Sequence, residues 1–553
     1  MHPHTLAKLL FCAIMVALCN LCPAAEWQWS IEKEGKKSGK AFLWIPPECE
    51  TVRGVVFGQQ VILEQAVFED PQIRAACARE HLAILFLVPG QIGYDDFGPD
   101  GQGEKTYTDI TAKLADISGY AELATAPFLG IGHSGGALPV WRMGYWQPQR
   151  CFGVIGLRAA PIGPPAHAPK AELNGVPVLV ITGQYETWDP QLGSEHHWRW
   201  CRGDILAWRA KWPNFLGSVL VQPGATHFNW DEKVAAYVAM FIEKAAQARL
   251  PGIGDQSSGI RDHFPKLKSL QLRDGWLTDH TLTTPVNVPT APYADYAGDP
   301  TMAFWHLDEE LARANEAFGQ THDKQLQLVS VLDDATPLEA KWMQHIDFQP
   351  LEDGITMQVE ADFIDHAPSV FAFPKPPYPI GHAPGPIRYR LIGSWGGGGE
   401  QVAADTFRIK FDRFTLANKR PGLMFMAYHP GNEEYAYAEQ PCSINFPKTN
   451  QQGKQQTITF DEIPDQQLGA SAVTMSARSD AGLPVHFAVI EGPVKLEGHT
   501  LIFTQIPPRT KFPIKVTVAA YQWGRSVEPK VQSAKTVERT FLIKDAPDRV
   551  NRD

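Results

Sequence analysis

Between Lys40 and Leu250 the chain alternates two textures. Short apolar runs, AFLWIPP (41–47), GVVFGQQV (54–61), LAILFLVPG (82–90), APFLGIGHS (126–134), CFGVIGLRAA (151–160), PVLVITGQY (177–185) and GSVLVQPG (217–224), read as strands. Segments of helical spacing separate them, among them DPQIRAACAREH, KTYTDITAKLADIS and GALPVWRMGYW, and DEKVAAYVAMFIEKAAQARL closes the series. Strands that are Val/Ile/Leu-rich throughout, with no polar alternation, are buried on both faces. The pattern predicts an α/β fold over 26–252, a doubly wound, mostly parallel sheet.

The rhythm stops at PGIGDQSSG (251–259), a predicted boundary. A middle domain over 260–450 is expected to be mixed and then β-rich. Its one predicted helix is TMAFWHLDEELARANEAF, with Asp299 as cap and Pro300 in the first turn. LQLVSVLDD, GITMQVEADFI, IRYRLIGSW, TFRIKFDRF and LMFMAYHP follow as strands, separated by PKPPYPIGHAPGP and WGGGGE, the latter read as a turn. Over 455–545, QTITFDEI, PVHFAVIEG, TLIFT and FPIKVTVAAYQ alternate at regular intervals, as in a small β-sandwich. There SARSDAGLPVHFAVIEGPVKLEGHTLIFT resembles the Ig-like modules at the C-termini of many exported bacterial proteins. Such modules bind, space or stabilise.

Composition narrows the partners. The 553 residues carry a net charge of −11 without a long basic run, which argues against nucleic acid and an anionic membrane surface. MHPHTLAK, the short apolar LLFCAIMVALCNLC and the small residues Pro23, Ala24 and Ala25 form a signal-peptide pattern over 1–25. The mature chain is therefore expected to be periplasmic or extracellular, with no stable membrane span. Cys49, Cys77, Cys151, Cys201 and Cys442 remain, odd in number and irregularly spaced, and are read mostly as free and buried. No spacing suggests a metal site, and no cofactor is expected.

The chemistry gathers around FLGIGHSGGALPVW (128–141). An apolar strand runs into Gly-His-Ser-Gly-Gly and then a helix, the arrangement that lifts a serine hydroxyl clear of a sheet. Ser134 is the candidate nucleophile, and a serine needs a base to take its proton. GSVLVQPGATHFNW places His227 just past a later strand, and PVLVITGQYETWDP offers Glu186, or alternatively Asp189, to orient that histidine. Residues 30–252 thus resemble the α/β-hydrolase superfamily, with GHSGG, GQYE and GATHF matching its three catalytic loops in order. The resemblance implies an oxyanion hole from the backbone N–H of Gly135 and of Gln59, or alternatively Gln60. His133 is read as packing or orientation. Gln59 and Gln60 depart from the His-Gly the family often carries there.

The resemblance implies acyl transfer to water, an ester being the expected substrate. Eight of the sixteen tryptophans fall between Trp141 and Trp230, and aromatic rings stack on sugar faces or aryl groups. Trp188, Trp198 and Trp230 are accordingly candidates to line the site of a carbohydrate or polymer-linked ester, the expected partner being a small-molecule or polysaccharide ester. A serine peptidase or amidase of the same fold, and a non-catalytic scaffold for glycan binding, are the alternatives. The oligomeric state is not legible.

Overall fold

The computed structural model describes residues 26–33, 39–90, 92–93, 97, 102–165, 167–168, 170–186, 194–252, 264–282, 284, 288–339, 341–365, 379–392, 398–417 and 422–545. The signal-peptide segment, Trp188, Asp189 and parts of the predicted boundary, of PKPPYPIGHAPGP and of WGGGGE lie outside them. No helix among the described residues is long and apolar enough to cross a membrane.

The described residues from Trp29 to Arg249 are organised by one eight-stranded sheet. Its strands are β1 (Trp29–Lys33), β2 (Gly39–Trp44), β3 (Gly54–Gln59), β4 (Leu82–Val88), β5 (Phe128–His133), β6 (Cys151–Leu157), β7 (Pro177–Gly183) and β8 (Leu216–Gln222). They lie in the order β1-β2-β4-β3-β5-β6-β7-β8. β2 runs antiparallel to β1 and β4, and every other pairing is parallel. The helices are α1 (Glu64–Glu69), α2 (Pro71–Arg79), α3 (Gln102–Ser118), α4 (Ala137–Trp146), α5 (Ser194–Lys211) and α6 (Glu232–Arg249).

Alternation along the strands builds two cores. In β4, Ala83, Leu85 and Leu87 face one cluster, with Tyr107 and Leu114 of α3 and Trp141 of α4. Leu82, Ile84, Phe86 and Val88 face the other, with Cys77 of α2 and Val238 and Ile242 of α6. Each such side chain contributes about 1.5–3 kcal/mol when fully buried, so a strand with two apolar faces is strongly fixed in register. Cys49, Cys77, Cys151, Cys201 and Cys442 are all free and buried.

Residues from 264 onward continue these cores. Leu282 and Phe304 lie in the first cluster, and Leu311 and Phe414 in the second. The predicted helix begins later than expected: Phe304–His306 is a strand, and α7 (Glu309–Gly319) is capped by Asp308, which accepts from the Leu311 N–H at 3.0 Å. Phe304 and Trp305 are drawn into the small sheet with Trp276–Thr278, and tertiary burial overrides the local cap at Asp299. β8 is the edge of the large sheet, and side chains from this region close it. Asn315 Nδ2 donates to the Val219 carbonyl at 3.0 Å, and His322 Nε2 to Val221 at 3.1 Å.

Beyond α7, the strands Gln344–Asp347, Ala438–Asn445, Gly422–His429 and Arg388–Leu391 form a four-stranded sheet over a core containing Phe407, Phe425 and Ile444. The last β-rich segment has a sheet with His486–Glu491, Ile514–Tyr521 and Val537–Lys544, and another with Val494–Glu497 and Thr500–Phe503. Val494, Leu501, Val516 and Phe541 share one core between them. This segment docks on the first sheet, where Ser30 donates to Glu491 at 2.6 Å.

Candidate functional site

β5 ends at His133, Ser134 follows with φ of 52°, and a tight turn over Ser134–Gly136 leads directly into α4. A positive φ in a non-glycine residue is strained and persists only where the surroundings dictate it. Here the small neighbours do so. A Cβ at Gly132 would lie 2.2 Å from the Gly136 carbonyl oxygen, and one at Gly136 would lie 2.3 Å from the Glu64 carboxylate. Ser134 is thereby held partly exposed at the C-terminal end of the sheet.

The other two loops arrive from β7 and β8, and they are zipped together. The N–H groups of Gln184 and Tyr185 donate to the carbonyls of Gln222 and Ala225, each at 2.9 Å. Gly183 is required at this crossing, since a Cβ there would stand 2.3 Å from the Ala225 oxygen. The zipper brings Glu186 to His227, whose Nδ1–H donates to the Glu186 carboxylate. The other carboxylate oxygen accepts from the Gly183 N–H at 2.9 Å. Burial alone would raise the Glu186 pKa. The His197 and His227 rings, the hydrogen bond from His227 and the Arg158 guanidinium outweigh it and hold the carboxyl well below its usual range.

His227 is joined to the elbow through His133. His133 Nε2–H donates to the His227 carbonyl at 2.9 Å, and the two rings lie 4.9 Å apart. Burial, reinforced by the nearby His227, pushes the His133 pKa far down, so this ring is a neutral strut. Serine, carboxylate and histidine follow one another along the chain, in the segments after β5, β7 and β8, with the serine on a strained strand-to-helix turn. The N-terminal half has the α/β-hydrolase fold. The solved structures similar to it include the poly(3-hydroxybutyrate) depolymerase from Bordetella parapertussis, with 16% identity over 43% of this chain and 96% of that one and a TM-score of 0.28. The esterase domain of a Rhodothermus marinus protein shares 16% identity over 40% and 97%, with a TM-score of 0.26. A fluorophosphonate-binding serine hydrolase of Staphylococcus aureus shares 11% over 40% and 96%, with a TM-score of 0.25. No protein-family model matches the chain, and no curated protein does.

The expected oxyanion donors fare differently. The Gln60 N–H is taken by the Leu87 carbonyl at 2.8 Å, because the β3–β4 ladder runs one residue past β3, so Gln60 is not an available donor. N–H directions alternate along a strand, so the Gln59 N–H points the other way, toward β5. The Gln59 side chain is occupied in pinning Ile92, donating to its carbonyl at 2.9 Å and accepting from its N–H at 3.0 Å.

Two expected substrate-lining residues serve packing instead. Trp198 is buried, stacked on His280 and edge-on to Phe304, because α5 turns that face toward the region after residue 264. Trp230 is half-buried, donates to Asp70 at 3.0 Å and packs between two apolar clusters. Trp141, Trp208 and Trp212 likewise pack on one another.

Other groups at the site carry no motif. Glu64, fully buried, accepts from the N–H groups of Val61 at 2.8 Å and Ile62 at 2.9 Å, and with its other oxygen from His133 at 2.8 Å. It staples the loop after β3 to the elbow, and burial raises its pKa to about 7 against these hydrogen bonds. His197 places Nε2 4.0 Å from Glu186. From the far region, Glu439 accepts from the Thr226 N–H at 2.6 Å and from its hydroxyl at 2.8 Å, and Trp342 lies 5.9 Å from the His227 ring. Among the described residues no group of His, Cys, Asp and Glu is arranged to hold a metal ion.

Proposed function

We propose that this protein is an exported serine hydrolase that cleaves carboxylic esters through an acyl-enzyme, its substrates being carbohydrate or polymer-linked esters. The observation that carries the reading is the buried Glu186–His227 pair beside the strained turn at Ser134. With Nδ1 protonated toward Glu186, the His227 Nε2 keeps its lone pair and takes the proton as Ser134 Oγ attacks the ester carbonyl. The tetrahedral oxyanion is met by the N–H groups of Gly135 and Gln59, each such donor lowering the barrier by ~3 kcal/mol. Collapse breaks the carbon–oxygen bond to the alcohol, which leaves with the proton from His227. A water then attacks the acyl-enzyme, its proton passing to His227 and on to Ser134, and the acid is released.

The signal-peptide pattern supports export, and the β-rich segment after 455 accords with action on polymers. The test is covalent labelling of the mature protein with a fluorophosphonate probe. Labelling is expected for the wild type and lost in Ser134→Ala and His227→Ala. A folded wild type that stays unlabelled refutes the reading.

A further inference from the structure

Among the described residues, four aromatic or carboxylate groups lie against the His227 ring, and three of them are closed to solvent. Glu186 holds Nδ1, while the His133 and Phe228 rings lie 4.9 and 4.8 Å away, each fully buried. The fourth is Trp342, edge-on to His227 and 5.1 Å from Phe228, with 37% of its surface in solvent. A tryptophan so exposed beside a buried histidine is unusual, since indole rings gain most from burial.

Its loop is nevertheless held firmly. Gln344, itself buried, donates to the Leu338 and Glu339 carbonyls at 3.2 and 3.3 Å, and Gln440 donates to Lys341 at 3.1 Å. Met343 packs against a buried cluster that includes Leu63, Phe228 and Met426. The backbone on both sides of Trp342 is thus anchored while its ring stays open.

In the proposed reaction the group that receives a proton from His227 is the leaving alcohol, so the alcohol half of the ester lies against this ring. We propose that Trp342 determines specificity for the alcohol, accepting on its open face one with a flat apolar surface, either an aryl ring or a pyranose. This rests on the hydrolase reading, and extends it by placing one wall of the binding site outside the α/β sheet.

Three acetyl esters test it: ethyl acetate, phenyl acetate and an acetylated methyl xyloside. All pass through the same acetyl-enzyme, so Trp342 acts on its formation and not on its hydrolysis. In Trp342→Ala, kcat/KM for phenyl acetate or for the xyloside, relative to ethyl acetate, is expected to fall about ten-fold. Trp342→Phe, which keeps a flat ring, is expected to restore most of that ratio. Which of the two ratios falls further tells an aryl alcohol from a sugar. Ratios unchanged in the labelled, folded Trp342→Ala variant overturn the proposal. So does an equal fall for all three esters with slower acetyl-enzyme hydrolysis, which would make Trp342 a support for the histidine loop. A wild type inert to the fluorophosphonate probe overturns the hydrolase reading and this proposal with it.

Discussion

Replacing Glu439 is expected to damage a site whose residues lie more than two hundred positions earlier in the chain. Its carboxylate is fully buried and accepts from the Thr226 N–H and hydroxyl, from Asn229 Nδ2 and from the Tyr437 hydroxyl at 2.7 Å. Arg390 lies 3.5 Å away and donates in turn to the Trp230 carbonyl at 3.0 Å. Thr226, Asn229 and Trp230 flank His227, so this cluster grips the histidine loop from outside. Glu439→Ala strands the Thr226 N–H and leaves the half-buried Arg390 guanidinium without its carboxylate. Losing an acceptor of four hydrogen bonds together with a half-buried ion pair costs about 3 kcal/mol. Glu439→Gln keeps the volume, but its amide has one acceptor oxygen where the carboxylate has two, so about 1–3 kcal/mol is expected. Urea unfolding measures both costs. If the cluster positions His227, the rate of fluorophosphonate labelling of folded Glu439→Gln also falls, roughly 10–100-fold, since small displacements of a catalytic group are costly. A Glu439→Gln variant with wild-type stability and wild-type labelling rate refutes the argument.

Glu186→Gln is expected to lower kcat by about 10³–10⁴-fold, because an amide does not fix the His227 tautomer, as steady-state hydrolysis of phenyl acetate would measure. For Glu64 the folded pKa is raised from 4.5 to about 7, so its contribution to stability is fully present below 4.5 and is lost as pH rises through 7. Glu64→Gln does not titrate, so its stability relative to wild type is expected to improve by ~3 kcal/mol between pH 4.5 and 8, read from paired urea unfolding curves. A chain ending at residue 252 loses Leu282, Phe304, Leu311 and Phe414 from the two sheet cores, about 1.5–3 kcal/mol each. It is expected to fail to fold by circular dichroism, whereas the chain from Glu26 to Asp553 is expected to unfold cooperatively.

What was legible in the sequence was what local pattern encodes. Seven of the eight strands of the large sheet carry their burial in continuous apolar runs, and the elbow announces itself because only small residues fit around Ser134. β1 carries no such run, because WSIEK is short and only half apolar. The start of α7 is not legible locally, because the cap at Asp299 is sound and only the pairing of Phe304–His306 with Trp276–Thr278 defeats it. Trp198 and Trp230 looked like lining because their neighbours in sequence carry the chemistry, but which face of a helix or loop is covered depends on segments that follow residue 264. Glu64, His197, Trp342 and Glu439 left no sequence signal at all. Each acts through a partner distant in the chain or through burial, and neither has a spacing.

The geometry of β8 explains why the later region has to be part of the site. A histidine loop that leaves an interior strand is braced by neighbours on both sides, but β8 is an edge, with β7 on one side only. The inner side is served by the zipper to Gln184 and Tyr185. The outer side is served by Asn315 and His322 on the strand itself, and by Tyr437 and Glu439 on the loop. The fit there is close: Gly224 has φ of 68°, and a Cβ on it would stand 1.9 Å from the Tyr437 carbonyl. A segment that must brace the histidine loop already lies against the mouth of the site. From that position one exposed ring, Trp342, lies 5.9 Å from the His227 ring, where we propose that it meets the alcohol. Support and specificity thus follow from a single packing interface, and a change in that interface alters both together.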